Sequence, residues 1–218
     1  MMKVFQEVYP VLPANYGWIE TKLSDEVMDK LTDTIFDESI RDYSIDSKLA
    51  GHIDKEFSIK KEGQWFFDDV LLPLVGHYRY YFGGKTIQNQ MTQDHKFALQ
   101  DLWVNFQKKH EFNPPHDHTG VFSFVVFHTI PTRWEIENAD ILGKKLEPVR
   151  STFEFMYIDV FGNIRQHYYN LTPDDEGKIL FFPAKLLHQV FPFYGSDDYR
   201  ITISGNISLD SNEVVVNE

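Results

Sequence analysis

From about residue 98 onward, the chain consists of short runs rich in Phe, Val, Ile and Tyr that are separated by turn residues. Runs of this kind are typical of β-strands, which must pair in a sheet to bury their apolar side chains. The six runs read LWVNFQ, FSFVVFHTI, TFEFMYIDV, IRQHYYNL, KILFFP and YRITISGNI. Six such strands predict a mainly β fold of the jelly-roll type, with two sheets packed face to face.

The residues before this region predict helices. Ser24 is a residue that favours a helix N-cap, and the apolar pattern after it predicts a helix over about 24–37. Residues 63–82 are dense in large apolar side chains and predict a second helix. Because proline removes a helical hydrogen bond, Pro73 is expected to kink or split this helix, which Gly83-Gly84 ends.

We therefore predict a single domain over 1–218, because 218 residues with this pattern suit one β-rich domain. A helical N-terminal support region, 1–97, is expected to pack on a core that spans 98–208. Turn residues predict hairpin connections at three places, residues 159–163, 173–177 and 194–198. The long charged loop over 131–150 is expected to be a lid or a solvated insertion.

Composition narrows the classes of function. The formal charge of −12 repels phosphate backbones, so a nucleic-acid partner is not expected. The absence of cysteine excludes disulfides and thiolate ligands, and leaves His, Asp and Glu as the strong metal ligands. Without a signal-like or membrane-spanning apolar run, we predict a cytoplasmic protein with no membrane partner.

Two of the nine histidines stand out because of their spacing. His116 and His118 lie at positions i and i+2, so on an extended backbone both imidazoles project to the same side, as two ligands of one metal must. A surface role in a proline-rich turn remains open for this pair. His188, in a stretch that reads as buried, is either a third ligand or a hydrogen-bonded core histidine.

The last strand alternates between two kinds of side chain. Arg200, Thr202 and Ser204 share one face, and isoleucines occupy the other. The polar face either meets water or points into the interior. In the second case the guanidinium needs an anion, ideally a carboxylate that it can hold with two hydrogen bonds.

The order of these motifs resembles the iron(II)/2-oxoglutarate-dependent oxygenases, and within them a group from marine bacteria and cyanobacterial phages. The chain has His-x-His, then about 70 residues of strands, then Phe-Phe-Pro-Ala-x-x-x-His-x-Val-x-Pro and Arg-Ile-x-Ile-Ser-x-Asn. Two shorter motifs of that group precede the histidine pair, Trp103-Val104-Asn105 and Asn113-Pro114-Pro115. The resemblance covers about residues 98–208.

The resemblance implies a double-stranded β-helix, cupin-like in shape, that binds one iron(II) through His116, His118 and His188. It also implies that Arg200 binds the distal carboxylate of 2-oxoglutarate with support from Thr202, and that Asn105 belongs to the same binding site. Such an enzyme uses dioxygen to hydroxylate a substrate and converts 2-oxoglutarate to succinate. The substrate, a small molecule or a peptide, and the oligomeric state are not indicated; a phage-encoded enzyme would act in the host cytoplasm.

The first motif departs from the usual one of this superfamily, which is His-x-Asp or His-x-Glu. Position i+2 here is His118, and the nearest carboxylate is Asp117. Strand geometry favours His118 as the ligand, whereas a bend after Pro115 would bring Asp117 inward instead.

Two other classes of function remain open at this stage. One is a cupin-type isomerase or three-histidine dioxygenase that does not use 2-oxoglutarate. The other is a binding or virion-associated β-sandwich in which the histidines are incidental. Arg200 distinguishes the oxygenase from both alternatives, because neither of them requires a buried arginine that faces the metal.

Overall fold

Two antiparallel sheets form the centre of the molecule. The computed structural model describes residues 7, 9–11, 16–37, 52–83, 95–141, 143 and 147–214. The strands of these residues are β1 (Ile19–Lys22), β2 (Glu56–Ser58), β3 (His95–Gln107), β4 (Asn113–His116), β5 (Phe122–Thr129), β6 (Thr152–Ile158), β7 (Ile164–Asn170), β8 (Lys178–Pro183), β9 (Leu187–Val190) and β10 (Arg200–Val214).

The larger sheet has the order β1-β8-β5-β10-β3-β2, and the smaller sheet has the order β4-β9-β6-β7. Aromatic side chains join the two sheets: the rings of Phe127 and Phe153 lie 5.8 Å apart, and those of Phe155 and Phe182 lie 4.9 Å apart. From β3 to β10 the chain alternates between the two sheets, apart from β6 and β7, which both lie in the smaller sheet; this arrangement confirms the predicted mainly β fold and double-stranded β-helix.

The helices lie outside the larger sheet. Helix α1 (Asp25–Phe36) begins after Ser24, whose hydroxyl accepts a hydrogen bond from Val27 N, as the N-cap pattern predicts. Leu31 and Ile35 of α1 are buried in the hydrophobic core that the sheet and the helices share. Within the described residues, no helix is long and apolar enough to cross a membrane.

The second predicted helix contains a different irregularity from a simple proline kink. It consists of α2 (Gln64–Phe66), a π-helical turn (Phe67–Leu71) and α3 (Leu72–Phe82), and it ends at Gly83, whose φ is +81°. Gly84 lies outside the described residues. The wider π-turn comes directly before Pro73, so the missing proline N–H is accommodated in the helix without ending it.

The N-terminal region also contributes strands, which the sequence did not predict. β1 pairs with β8 along one edge of the larger sheet, and β2 pairs with β3 along the other. Strands of four and three residues are too short to show a period of two. The predicted boundary between residues 97 and 98 stays a prediction.

One of the three predicted hairpins is correct. Residues 159–163 join β6 to β7, which pair along their whole length. The other two predictions are wrong, because residues 173–177 lead from β7 in the smaller sheet to β8 in the larger one, and residues 194–198 lead from β9 to β10 in the same way. Turn residues mark where a strand ends but not the sheet to which the chain continues.

The loop over 131–150 is attached to the body of the protein in its described part. It contains a short helix, α4 (Trp134–Glu137), and the buried Asn138. The Asn138 side chain donates to the carbonyls of Trp134 and Arg150 and accepts from Arg150 N, which closes the base of the loop. This part of the loop is therefore fixed at its base and is not a free lid, while most of its other described residues are exposed or half-buried, as in a solvated insertion.

Candidate active site

A cavity of about 280 Å³ lies between the two sheets. The strands of the larger sheet give it a polar wall, formed by Asp101, Asn105, Gln107, Thr202, Ser204 and Asn206. Aromatic and aliphatic side chains line the other side, among them Phe127, Phe153, Phe182 and Val190. We call the part lined by His116, His118 and His188 the metal end, and the part lined by Arg200, Thr202, Asn105 and Gln107 the carboxylate end.

Strand pairing brings the three histidines together. His116, the last residue of β4, lies directly opposite His188 of β9, and directly opposite residues of paired strands point to the same face. His118 follows two residues later, and its backbone N–H donates to the Ala184 carbonyl at 2.9 Å. The predicted His-x-His pair and the distant His188 therefore meet in one cluster, the arrangement that a single metal ion requires.

The separation of the rings suits one ion. The ligand nitrogens of the three histidines all lie within 4.8 Å of one another, and the Nε2 atoms of His118 and His188 are 3.2 Å apart. Two imidazole nitrogens that bind one metal at about 2.1 Å in adjacent positions lie roughly 3 Å apart. The cluster therefore has the spacing of a ligand set.

Backbone carbonyls orient two of the rings. His116 Nδ1 lies 2.7 Å from the Pro114 carbonyl oxygen, and His188 Nδ1 lies 2.9 Å from that of Leu186. A carbonyl can only accept, so in each ring Nδ1 carries the proton and Nε2 keeps a free lone pair for a metal. Partners of this kind fix the tautomer and the direction of metal-binding histidines.

Burial keeps the three imidazoles neutral. It lowers the pKa of His116, lowers that of His118 to about 4, and lowers that of His188 well below its usual value. The neighbouring imidazoles further lower the pKa of His118 and of His188. Because only a neutral imidazole can bind a metal, the cluster can accept an ion at neutral pH without first losing protons.

Asp117 lies apart from this cluster. Its carboxylate forms an exposed ion pair with Lys185, with an N–O distance of 3.4 Å. The backbone therefore has the extended course that turns His118 inward, without the bend that would bring Asp117 to the metal.

Arg200 is the largest fully buried side chain of the described residues, with 0% of its surface exposed. Its Nε donates to Gln107 Oε1 at 3.0 Å, and its Nη2 donates to the Phe191 carbonyl at 2.6 Å. Its Nη1 is buried and has no hydrogen-bond partner among the described residues. A buried guanidinium with an unused donor is costly unless an anion binds there, so this end of the cavity fits a carboxylate ligand.

Thr202 and Asn105 lie next to Arg200 on the same polar wall. They are paired directly across β10 and β3, and Asn105 Nδ2 donates to Thr202 Oγ1 at 3.1 Å. Asn105 Oδ1 is buried without a partner in the described part of the chain. If the Asn105 amide rotates by about 180°, its oxygen accepts a hydrogen bond from the Thr202 hydroxyl. Its NH₂ group then lies where Oδ1 was and can donate to a ligand.

Three residues around Arg200 were missed by the sequence analysis. Gln107 had a signal, because it follows Asn105 at i+2 on the same strand and so shares its face. Two others had none: Phe193, whose ring lies 5.2 Å from the Arg200 guanidinium carbon, and Glu137, whose charge offsets part of the lowering of the Arg200 pKa that burial causes. Both come from connecting segments whose positions in space do not follow from a strand pattern.

Comparison with known proteins decides the family. Residues 101–206 match a family model described as "Putative 2OG-Fe(II) oxygenase". The chain carries a 2OG-Fe(II) oxygenase domain. This oxygenase family uses iron(II), 2-oxoglutarate and dioxygen, so the predicted cofactors are confirmed at the level of the family. The narrower likeness to proteins of marine bacteria and phages stays a prediction.

Solved structures show the same fold. A prolyl-4-hydroxylase from Pseudomonas putida is similar with a TM-score of 0.50 and 11% identity, over 90% of this oxygenase and 94% of that chain. A Trichoplax adhaerens prolyl hydroxylase, solved with a hypoxia-inducible-factor peptide fragment, has a TM-score of 0.53 and 8% identity, over 90% and 84% of the two chains. No curated protein sequence matches this oxygenase.

Proposed function

We propose that this iron(II)/2-oxoglutarate-dependent dioxygenase hydroxylates a C–H bond of its substrate, with His116, His118 and His188 as the iron ligands. The overall reaction inserts one atom of dioxygen into the substrate and the other into succinate, and releases carbon dioxide. The observation that carries the proposal is the pairing, in one cavity, of three neutral imidazoles with a buried arginine that has an unused donor. The bound iron supplies the activation of dioxygen.

At the carboxylate end, Arg200 binds the distal carboxylate of 2-oxoglutarate. Its Nη1 is the unused donor, while Gln107 and the Phe191 carbonyl hold the rest of the guanidinium in place. Beside Arg200, one further donor is available: the Thr202 hydroxyl while it accepts from Asn105 Nδ2, or the Asn105 amide after its rotation. Such a charge-assisted contact in a buried site is stronger than the same contact in water.

The apolar side of the cavity excludes water from the reacting groups. Phe153 and Phe182 contact the His188 ring, with ring centres 5.7 Å and 5.0 Å away. These aromatic rings hold His188 in one orientation and leave little room for solvent at the metal end. Water exclusion protects the substrate radical that hydroxylation requires from side reactions.

The substrate enters from the side of His118, where the half-buried histidine and the exposed Asp117 and Thr119 line the cavity. A cavity of about 280 Å³ that also holds 2-oxoglutarate leaves room for a side chain or a small molecule, not for a large rigid body. We therefore propose a peptide side chain or a small metabolite as the substrate. The charge of −12 supports a substrate other than nucleic acid, and the lack of cysteine supports a cytoplasmic location.

The direct test is turnover of 2-oxoglutarate by the purified protein with iron(II) and dioxygen. Succinate should form as 2-oxoglutarate and dioxygen are consumed, slowly without substrate and faster when a true substrate is added. His188→Ala should form no succinate, and His77→Ala, at an exposed histidine of α3, should behave like the wild type. A wild-type protein that binds iron but does not bind 2-oxoglutarate would instead favour a three-histidine dioxygenase that needs no cosubstrate.

A further inference from the structure

We propose that Glu137 is a positioning residue for 2-oxoglutarate, because it fixes the loop between β9 and β10 that holds the Arg200 guanidinium. This inference rests on the proposed role of Arg200. It gives the loop over 131–150 a function, since Glu137 is the last residue of its helix α4.

The first observation is the environment of the Glu137 carboxylate. Glu137 is buried, and its two oxygens accept hydrogen bonds from backbone N–H groups of the loop: Oε2 from Tyr194 at 2.9 Å and Oε1 from Gly195 at 2.6 Å. A buried carboxylate that accepts two N–H groups holds them firmly, because burial leaves the carboxylate little access to water as an alternative partner. Glu137 therefore attaches this loop to α4.

The second observation is what the same loop does for Arg200. The Phe191 carbonyl accepts from Arg200 Nη2, and the fully buried Phe193 ring lies 5.2 Å from the guanidinium carbon. Two further backbone bonds hold the middle of the loop, from His110 N to the Phe193 carbonyl and from Ser151 N to the Pro192 carbonyl. Glu137 holds the later part of the loop, which leads into β10 and Arg200.

The third observation is the steric fit at Gly195. A Cβ atom at this position would lie 2.4 Å from Glu137 Oε1, closer than nonbonded atoms can approach. The loop and the carboxylate are thus in close contact, and a side chain at position 195 would have to displace the Glu137 carboxylate. The φ of Gly195 is not in the left-handed region, so its backbone itself would accept alanine.

The negative charge of Glu137 also supports the role of Arg200, although the Glu137 carboxylate does not occupy the ligand site. It raises the pKa of Arg200 against the lowering that burial causes, and so favours the charged guanidinium. Because Arg200 Nη1 has no partner among the described residues, Glu137 leaves this donor available to a carboxylate ligand.

The test is calorimetric titration of 2-oxoglutarate into the anaerobic iron(II) protein. Glu137→Ala should weaken binding about tenfold, the effect of losing hydrogen bonds to a charged group. Glu137→Gln keeps an acceptor oxygen for one N–H group and should weaken binding less. Glu135→Ala is the matched control, because Glu135 is an exposed glutamate of the same helix, and it should bind as the wild type does.

Two readouts separate positioning from general damage to the fold. Iron(II) affinity should stay unchanged in Glu137→Ala, because the metal end does not contact this loop. In uncoupled turnover, the KM for 2-oxoglutarate should rise while kcat at saturating 2-oxoglutarate stays close to that of the wild type.

Gly195→Ala keeps the proposal falsifiable if Glu137→Ala folds poorly, because it disturbs the Glu137 carboxylate without removing the glutamate. Gly195→Ala alone should weaken 2-oxoglutarate binding, because its methyl group displaces the carboxylate. In the Glu137→Ala background the same change should have little further effect, since the clash is gone.

Equal affinity for 2-oxoglutarate in Glu137→Ala and Glu135→Ala, or additive effects of the two alanine changes, would overturn the proposal. Failure of the proposed function gives a different result, because the wild-type protein itself would then not bind 2-oxoglutarate.

Discussion

The metal end and the carboxylate end of the cavity are built in different ways. The three histidines come from β4, from the residues just after it and from the adjacent β9, so one strand pair positions the whole set. Arg200, in contrast, depends on Gln107 from β3, on the loop after β9 and on Glu137 from the distant helix α4. The metal end is local to one sheet, and the carboxylate end joins both sheets and an insertion.

The two ends also differ in charge and in unused bonding capacity. Burial makes the histidines neutral, which prepares them for a cation, whereas Arg200 stays a cation with an unused donor, which prepares it for an anion. A substitution at the metal end should therefore weaken iron(II) binding first, and one at the carboxylate end should weaken 2-oxoglutarate binding first. Metal binding and cosubstrate binding should therefore be separable by single substitutions.

The largest expected effect is at the metal end. His188→Ala removes one of the three proposed ligands, and no other described side chain can replace it. Loss of a group that only supports a ligand typically lowers metal affinity about 10- to 100-fold, so loss of the ligand itself should lower iron(II) affinity by more than about 100-fold. Equilibrium titration of iron(II) under anaerobic conditions measures it. Circular dichroism should show an intact fold, and stoichiometric iron binding by this variant would remove the site from consideration.

A pair of substitutions tests which residue of the first motif binds the metal. His118→Ala should lose iron(II), whereas Asp117→Ala should keep it, because Asp117 only forms an exposed ion pair with Lys185. His118→Asp should retain iron by restoring two histidines and one carboxylate. Iron affinities of the three variants decide the matter, and metal loss in Asp117→Ala with none in His118→Ala would reverse the assignment.

At the other end, Arg200→Ala should weaken 2-oxoglutarate binding by at least about tenfold, since a charge-assisted bond contributes about 1.5 to 3 kcal/mol. Its iron(II) affinity should stay that of the wild type. Thr202→Val, which removes only a supporting hydroxyl, should give a smaller loss. Calorimetry with 2-oxoglutarate measures both variants, and an unchanged affinity in Arg200→Ala would move the binding role to another residue.

The smallest effect concerns pH and the metal-free protein. The histidine pKa values are lowered in the folded state, so the unfolded chain takes up protons first as pH falls below about 6.5. Stability should therefore be fully present above this value and decline as pH falls toward 4. Thermal unfolding of the metal-free protein between pH 7 and 4 measures this decline in stability, which should be smaller in His118→Ala than in the wild type. The same dependence of stability on pH in both proteins would contradict the prediction.

The sequence predicts the metal end better than the carboxylate end. His116 and His118 are two residues apart on an extended segment, so their common direction follows from strand geometry alone. The meeting with His188 needs the pairing of β4 with β9, which became an expectation only through the family resemblance.

At the carboxylate end, strand alternation placed Arg200 and Thr202 on one face but left open whether that face meets water or the interior. Glu137 and Phe193 could not be predicted, because long connecting segments bring them to Arg200 and no periodic pattern marks such a segment. The same limit explains the two incorrect hairpins, where turn residues gave no information about which sheet the next strand joins.

The most direct test of the central claim is an anaerobic titration of iron(II), with and without 2-oxoglutarate, followed by visible absorption. The wild-type protein should bind one iron per chain and develop a weak charge-transfer band only when 2-oxoglutarate is added. Arg200→Ala should bind the iron but need at least about tenfold more 2-oxoglutarate for the band, and His188→Ala should show neither. A wild-type protein that binds iron without ever developing the band, or an Arg200→Ala titration that overlays that of the wild type, would contradict the account.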